Sequence, residues 1–330
     1  MCDEMTKTGI IIRGVGGLFG VRPLPLAHGD DVVLCRARGA FRHAKITPLP
    51  GDIVRYTRDS EAPVVDDGRS AAYVIEDIEP RANALIRPPL ANLTHLFLAI
   101  PAARPAPDLA TADKLIAIAE AAGIEPVILV TKEDLVPAEA VRIADLYRQA
   151  GFTAFTMSAE NEEKVEYLRA FIASLANGDE PITAAFAGAS GAGKSTMMTK
   201  LFPSLTFKTG EISRRAERGR QTTRHVELYP FEKDGRITLI ADTPGFSILD
   251  FTRFNFFDPA DLPEAFREFR PHIGTCRYTK CTHTKEEGCS ILAAVHAGDI
   301  SAERHASYVA IFTEMKKKPD WQRRREEAKT

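Results

Sequence analysis

Short runs of apolar positions, of the kind typical of β-strands, characterise the first part of the chain. Between residues 9 and about 87 these runs are separated by glycine and proline, and no helical period appears. The pattern predicts strands at 9–13, 31–37, 52–56 and 71–78. Several short strands in so small a segment favour an N-terminal OB-fold β-barrel.

Apolar strands and amphipathic helices alternate in the next part, from about residue 93 to 250. Strands are predicted at 93–100, 126–130, 182–187 and 237–241, and helices at 108–122, from Pro137 to just before Gly151, and around the apolar face of Val165, Leu168, Phe171 and Leu175. Such alternation predicts a parallel sheet with helices on both faces.

The last part contains a phenylalanine-rich stretch at 251–257, a predicted helix, a cluster of cysteines, another helix and a basic tail at 316–325. These changes of pattern divide the chain into a multi-domain α/β protein. We predict domains at 1–88, 89–250 and 251–330.

A glycine-rich loop matches the phosphate-binding pattern G-x4-G-K-S between a predicted strand and a helix. It comprises Gly188, Ala189, Ser190, Gly191, Ala192, Gly193, Lys194 and Ser195, and Thr196 continues into the helix. The glycines let backbone N–H groups surround a phosphate. Lys194 would place a positive charge at the β- and γ-phosphates, and Ser195 would offer its hydroxyl to Mg²⁺. A merely flexible loop is the alternative interpretation.

Two motifs earlier in the chain suit a guanine base. They are Thr131-Lys132-Glu133-Asp134, after a predicted buried strand, and Ser158-Ala159-Glu160. A carboxylate at Asp134 can accept hydrogen bonds from N1–H and the 2-amino group of guanine, which adenine lacks, so the motif favours GTP over ATP. Lys132 would cover the base with its aliphatic stem, and Thr131 stands where such motifs usually carry Asn. The first motif could instead be the capped start of a helix.

Candidate catalytic residues follow the phosphate loop. Asp242-Thr243-Pro244-Gly245 ends a predicted strand, where Asp242 can hold Mg²⁺ through water and Gly245 can turn its N–H toward the γ-phosphate. The segment 214–225 is predicted to be a switch, in which Thr222 or Thr223 is available to Mg²⁺ and Gln221 to the attacking water. Its arginines could instead contact RNA or be solvated. Because Phe246 occupies the position of the usual water-orienting glutamine, we expect slow intrinsic turnover that a partner stimulates.

The order of these motifs is that of a circularly permuted GTPase, since the base-reading motifs precede the phosphate loop. Every motif follows a strand, so all converge at the carboxyl edge of a parallel sheet whatever the chain order. The polar loop at 177–181 is the predicted joint. The region that senses the γ-phosphate leads directly into the C-terminal part, so we expect nucleotide state to be reported there.

Three cysteines and a histidine form one short metal-ligand pattern, Cys276-x4-Cys281-x-His283-x5-Cys289. Three thiolates and an imidazole complete a tetrahedral Cys₃His set, which predicts a structural zinc site rather than a catalytic one. Buried free cysteines beside a surface histidine are the alternative.

Composition limits the remaining classes. With 44% apolar and 27% charged residues and a net charge of −2, the chain is typical of globular proteins, and net charge does not identify a partner. Neither a signal peptide nor a membrane-spanning run is evident, so we expect a cytoplasmic protein without a membrane partner. The basic residues Arg36, Arg38, Arg42, His43 and Lys45, with Phe41 among them, could form an RNA-binding surface or a solvated strand face.

Taken together, the motifs make the chain similar to the ribosome small-subunit-dependent GTPase A family. The resemblance covers nearly the whole chain and rests on the permuted motif order, on Gly219-Arg220-Gln221-Thr222-Thr223 and on the Cys/His spacing. It implies an OB-fold, a circularly permuted P-loop GTPase domain and a C-terminal zinc-binding helical domain. It also implies GTP/GDP, Mg²⁺ and one Zn²⁺. The family usually carries His where this chain has Gln221.

In function, the resemblance implies late maturation of the small ribosomal subunit, with subunit-stimulated GTP hydrolysis and contact with ribosomal RNA. Two alternatives remain from the residues themselves. One is a nucleotide-gated RNA-binding module with negligible turnover. The other is an ATP-dependent kinase or transporter subunit, which would leave Asp134 without a role. We expect a monomer.

Overall fold

A computed structural model describes residues 6–29, 31–39, 41, 46–59, 72–86, 89–178, 180–203, 226–242 and 258–317. The predictions for 204–225, 243–257, the basic residues 42–45 and the tail 318–325 lie outside the described residues. The chain forms two compact units. One contains residues 1–95, 165–185 and 198–246, and the other contains 96–164, 186–197 and 247–330.

The first unit begins with a closed five-stranded barrel. Its strands are β1 (Lys7–Val15), β2 (Leu18–Pro23), β3 (Val33–Ala37), β4 (Ile53–Arg58) and β5 (Tyr73–Ile78). They follow the order β1-β2-β3-β5-β4, and pairing of β1 with β4 closes the barrel. Ile11, Val21, Val54, Tyr56 and Ile75 fill its interior. The predicted OB-like barrel is confirmed, with β2 as an additional strand after the tight turn at Gly16-Gly17, where φ is 62° and 84°.

Two of the predicted basic residues on the barrel are paired with acids. Arg36 pairs with Asp59, and Arg38 lies 2.6 Å from Glu76. This pairing supports the interpretation of a solvated strand face for these two arginines.

The same unit continues through a short two-stranded sheet, β6 (Ala84–Ile86) and β7 (Pro89–Ala91), to part of the main sheet. The first residues of β11 (Ile182–Gly188) pair in parallel with β13 (Arg236–Asp242). The strand β12 (Glu227–Lys233), which was not predicted, is antiparallel to β13, so the sheet is mixed rather than parallel. The cause is local: Asp234 and Gly235, with φ of 53° and 73°, form a tight hairpin turn.

Strand β12 also joins this sheet to the barrel, because Glu227 pairs with Arg13 of β1 in antiparallel register. The side chains of Arg13 and Glu227 form an ion pair at 3.4 Å, and His28 contacts Glu232 at 2.7 Å.

The second unit contains β8 (His95–Pro101) from Leu96 onward, β9 (Glu125–Thr131), β10 (Thr153–Met157) and the end of β11, in the order β10-β9-β8-β11. Strands β9 and β10 are parallel. The helices of this unit are α1 (Leu109–Ala121) and α2 (Pro137–Gln149), with the first residues of α3 (Glu162–Leu175) and of α4 (Lys194–Leu201), whose remaining residues belong to the first unit. Asp108 caps α1 by accepting the N–H of Thr111 at 3.1 Å, and Pro137 begins α2 as predicted.

The C-terminal part of this unit contains two 3₁₀ helices, Leu262–Ala265 and Arg267–His272, then α5 (Ser290–Ala297) and α6 (Ala302–Lys317). The sequence predicted one helix before the cysteines, but Pro263 and Pro271 lack the N–H groups that a continuous α-helix needs. Two helices, rather than one, follow the cysteines, because Gly298 (φ 85°) ends α5.

A buried cluster of charged side chains connects α6 with α1 and α2. The guanidinium of Arg304 is 1% exposed and bonds the carboxylates of Asp113 and Glu268, the latter at 2.7 Å from Nε. The hydroxyl of Tyr147 donates to Asp113 at 3.0 Å. Burial opposes ionisation of Arg304, but the two carboxylates outweigh it and raise the guanidinium pKa.

Candidate nucleotide site and metal cluster

The phosphate loop has a backbone that only glycine can provide at its first position. Gly188 adopts φ 139°, and a Cβ atom there would lie 2.3 Å from the carbonyl oxygen of Ala99 on β8. Gly191 and Gly193 also have positive φ, 77° and 87°. Helix α4 begins directly afterwards, with Met197 N–H donating to Gly193 O at 2.9 Å. The glycines therefore allow β11 to turn sharply into α4, which presents its N-terminal N–H groups.

Lys194 folds back across this loop. Its ammonium donates to the carbonyl oxygens of Gly188, at 2.6 Å, and Ala189, at 2.8 Å. Burial lowers the pKa of the Lys194 ammonium. Ser190, Ser195 and Thr196 are exposed around it. A cation held by neutral carbonyls beside a helix N-terminus can bind an anion without first breaking an ion pair.

Three consecutive residues of the motif at 131–134 are each anchored to a different segment. The hydroxyl of Thr131, which is 2% exposed, donates to Ala192 O in the phosphate loop at 2.6 Å. The Lys132 ammonium donates a hydrogen bond to Arg104 O, and the backbone of Lys132 has φ 61°. The third anchor is an ion pair between Glu133 and Lys164.

Thr131 therefore braces the phosphate loop even though it replaces the usual Asn. Asp134, in contrast, is exposed, and its carboxylate has no partner among the described residues. A fixed segment that ends in a free carboxylate can accept hydrogen bonds from a ligand.

The motif at 158–160 lies directly beside this segment, at the end of β10. Glu133 N–H donates to Met157 O at 3.2 Å. Ser158 is buried, and its hydroxyl oxygen accepts the N–H of Glu160 at 3.2 Å. Ala159 is half-buried and Glu160 is exposed. The motif at 131–134 thus touches both the phosphate loop and the segment that contains Ser158.

The predicted catalytic residues are described less completely. Asp242 is the last residue of β13, with its backbone paired to Glu227, but its side chain lies outside the described part of the structure. Gln221, Thr222, Thr223 and Gly245 lie there as well, so their roles remain predictions. Lys164 and the carbonyl of Arg104 were not identified from the sequence, because neither belongs to a motif.

The four predicted metal ligands come together in the second unit. The sulfur atoms of Cys276, Cys281 and Cys289 and a ring nitrogen of His283 all lie within 4.8 Å of one another. Cys276 Sγ is 3.9 Å from Cys289 Sγ and 3.5 Å from His283 Nδ1, and His283 Nδ1 is 3.4 Å from Cys289 Sγ. A tetrahedron with Zn–S of about 2.3 Å and Zn–N of about 2.0–2.1 Å has edges of about 3.8 Å and 3.5 Å. Cys276, His283 and Cys289 therefore have the spacing that Zn²⁺ requires, and Cys281 Sγ lies within 4.8 Å of them.

Neighbouring groups also suit a metal. Ser290 N–H points at Cys276 Sγ at 3.4 Å, a contact that favours an ionised sulfur. Burial lowers the pKa of His283, which keeps the imidazole neutral at pH 7, as ligation requires.

None of the helices in the described part of the chain is both long and apolar enough to cross a bilayer. The chain matches the family model described as RsgA GTPase over residues 78–252 and that described as RsgA N-terminal domain over residues 8–63.

Relatives named small ribosomal subunit biogenesis GTPase RsgA align with nearly the whole chain. The protein of Bacillus pumilus is 38% identical and that of Bacillus subtilis 34%, each aligned over 93% of this chain and 97% of the relative. The protein of Ruminiclostridium cellulolyticum is 32% identical over 98% of both chains.

The solved structures that are similar to this chain include the following two. The crystal structure of YloQ, a circularly permuted GTPase, matches with TM-score 0.74 and 30% identity over 97% of this chain and 99% of that one. The structure of YjeQ from Thermotoga maritima matches with TM-score 0.74 and 25% identity over 96% of this chain and 100% of that one. The circularly permuted GTPase fold and the family resemblance are thus confirmed: the chain is a GTP-hydrolysing enzyme and belongs to the RsgA GTPase family.

Proposed function

We propose that this GTPase binds the small ribosomal subunit, acts in its late maturation and hydrolyses GTP faster when the subunit is bound. The function rests on relatives named for small-subunit biogenesis that align with nearly the whole chain. The observation that carries the nucleotide assignment is the motif at 131–134, which is anchored to the phosphate loop and leaves the Asp134 carboxylate free.

In this proposal the phosphate loop, residues 188–196, binds the phosphates of GTP or GDP. Lys194 exchanges its two carbonyl partners for β- and γ-phosphate oxygens, which accept more strongly because they are charged. Asp134 reads the guanine edge, Lys132 covers the base, and 158–160 closes the opposite side. The assignment of these residues to GTP is supported by their contacts with one another.

Ser195 and Asp242 would hold Mg²⁺, with Thr222 or Thr223 as a further ligand. That ion would neutralise charge developing on the phosphates. Gln221 would orient the attacking water, and Gly245 N–H would contact the γ-phosphate. These residues are proposed from their motif positions alone.

We further propose that Cys276, Cys281, His283 and Cys289 bind one structural Zn²⁺, which holds the loop between the second 3₁₀ helix and α5. All four positions are filled by protein atoms, so the site would stabilise structure and leave no position for a substrate. The proposal also includes a division into three domains, at 1–88, 89–250 and 251–330. It further includes contact with ribosomal RNA, a monomeric state and a cytoplasmic location.

The test is hydrolysis of GTP and of ATP by the purified protein, with and without small subunits, at two salt concentrations. We expect hydrolysis of GTP alone to be stimulated, and stimulation to weaken at high salt because phosphate contacts release counterions. The substitution Lys194→Ala should abolish the stimulated hydrolysis of GTP. Unchanged slow turnover with added subunits would contradict the proposal and favour a nucleotide-gated RNA-binding module.

A further inference from the structure

We propose that Lys164 is a positioning residue for guanine recognition, which holds Glu133 and thereby keeps the neighbouring Asp134 carboxylate aimed at the 2-amino group of the base. This inference rests on the nucleotide site proposed above. It assigns a role to a lysine that belongs to none of the sequence motifs.

Lys164 lies in the first turn of α3, and its ammonium joins two strand ends. It forms an ion pair with the carboxylate of Glu133, which follows β9, and donates to Thr156 Oγ1 on β10 at 2.9 Å. The side chains of Lys164 and Glu133 are 34% and 20% exposed, so the contact is partly withdrawn from water. The backbone of Lys164 is itself fixed, because its N–H donates to Asn161 Oδ1 at 3.1 Å.

The position of this ion pair matters because of what comes next in the chain. Thr131 and Lys132 are anchored on the phosphate-loop side, to Ala192 O and Arg104 O. Glu133 is the only residue of the motif with a described side-chain contact to α3. Asp134 follows it with a free carboxylate and an exposed side chain.

Without the ion pair, the end of the motif would retain two described backbone contacts. One joins Glu133 N–H to Met157 O at 3.2 Å, and the other closes the motif's own turn, from Leu135 N–H to Lys132 O at 3.1 Å. A carboxylate that must accept two parallel hydrogen bonds from a planar base tolerates little displacement, since hydrogen bonds weaken steeply away from linearity. Loss of Lys164 should therefore weaken contacts to the guanine edge more than contacts to phosphate.

Inosine diphosphate isolates this effect, because hypoxanthine keeps the N1–H and carbonyl of guanine but lacks the 2-amino group. Dissociation constants for GDP and IDP would be measured with the wild-type protein, Lys164→Met and Lys164→Arg. We expect Lys164→Met to reduce the preference for GDP over IDP by about fivefold to tenfold, in the range of coupling between contacting groups. Lys164→Arg should restore most of the preference, because a guanidinium can also pair with Glu133.

The double variant Glu133→Gln/Lys164→Met should be no worse than Lys164→Met alone, because both changes remove the same contact. Lys114→Met is the matched control. Lys114 is 20% exposed and pairs with Glu314 at 2.6 Å, so this variant removes a comparable ion pair between two other helices. The control should leave the GDP/IDP preference unchanged.

The outcomes separate the inference from the function on which it rests. If the wild-type protein does not prefer GDP over IDP, the proposed guanine site is wrong. If it does and Lys164→Met weakens both nucleotides equally, Lys164 only supports the fold and the positioning role is refuted. Additive losses in the double variant would also refute it.

Discussion

Replacing Arg304 by Met should strongly destabilise the unit that contains the phosphate loop. Arg304 is 1% exposed, and its guanidinium lies between the carboxylates of Asp113, 1% exposed, and Glu268, 6% exposed. Its faces contact aromatic rings, the nearest being Phe266 at 4.7 Å from the centroid. Met can fill much of this volume, but it leaves two buried carboxylates without a cation.

The expected cost follows from that residual charge. Removing one partner of a buried ion pair costs about 3–5 kcal/mol, because the other partner stays buried and unpaired. For a unit of this size, about 2–4 °C per kcal/mol, the melting temperature should fall by roughly 6–20 °C. In the variant, Asp113 still accepts the hydrogen bond from the hydroxyl of Tyr147, at 3.0 Å, so the loss of stability should lie toward the lower end of this range.

The destabilisation should also depend on pH. Burial raises the pKa of Asp113 in the folded protein, and removing Arg304 removes a charge that lowers it. A carboxyl group whose pKa is higher in the folded than in the unfolded state binds more protons when folded, so stability increases as pH falls toward the unfolded-state pKa. The variant should therefore recover part of its stability between pH 8 and pH 5.

Urea and thermal unfolding of the wild-type protein, Arg304→Met and the triple variant Asp113→Asn/Glu268→Met/Arg304→Met would test this reasoning. The triple variant removes the two stranded charges and should be more stable than Arg304→Met. A loss below about 1 kcal/mol in Arg304→Met, or a triple variant no more stable than the single one, would refute the argument that unpaired charge dominates the cost.

Three further predictions concern the site. Thr131→Val should weaken GDP binding severalfold by leaving Ala192 O without its donor, whereas Thr131→Ser should retain it, as measured by calorimetry. Gly188→Ala should destabilise the protein by about 2–5 kcal/mol in urea unfolding, because the new Cβ would meet a backbone carbonyl and keep an unfavourable φ. Elemental analysis should find one zinc per chain, and chelation or Cys281→Ser should remove it and lower the melting temperature.

Each of these three predictions has a matched control variant. Gly178→Ala meets no atom within 4 Å and should be nearly neutral. Cys35→Ala changes a cysteine inside the barrel that is not one of the four metal ligands, and should keep the zinc. Equal GDP affinity of Thr131→Val and Thr131→Ser, a stable Gly188→Ala variant, or a chain without zinc would contradict the respective prediction.

Much of the fold could be predicted because its signals are local. The buried strand predicted at 126–130 extends over Glu125–Thr131, and the helix predicted at 108–122 over Leu109–Ala121. The strand is a continuous apolar run, and the helix begins after the capping residue Asp108. Strand β12 was missed because Pro230 interrupts its alternating pattern, and it is stabilised by pairing on both sides, with β13 and β1.

The residues of the site also differ in how well the sequence predicts them. Phosphate, base and metal ligands form motifs, since their chemistry fixes residue types at short spacings. The residues that hold those ligands in place do not form motifs. Lys164 reaches Glu133 across 31 positions, and Arg304 reaches Asp113 across 191, so neither contact has a local signature. A sequence motif identifies what touches a ligand, and tertiary packing determines what keeps it in place.

The Arg304 cluster also limits how nucleotide state can be reported to the C-terminal part. It ties α6 to α1 and α2, the helices that follow β8 and the base-reading segment after β9. Breaking such a cluster costs about 3–5 kcal/mol, whereas allosteric coupling between sites typically supplies about 1–3 kcal/mol. We therefore expect α6 to stay attached to these helices when GTP is hydrolysed.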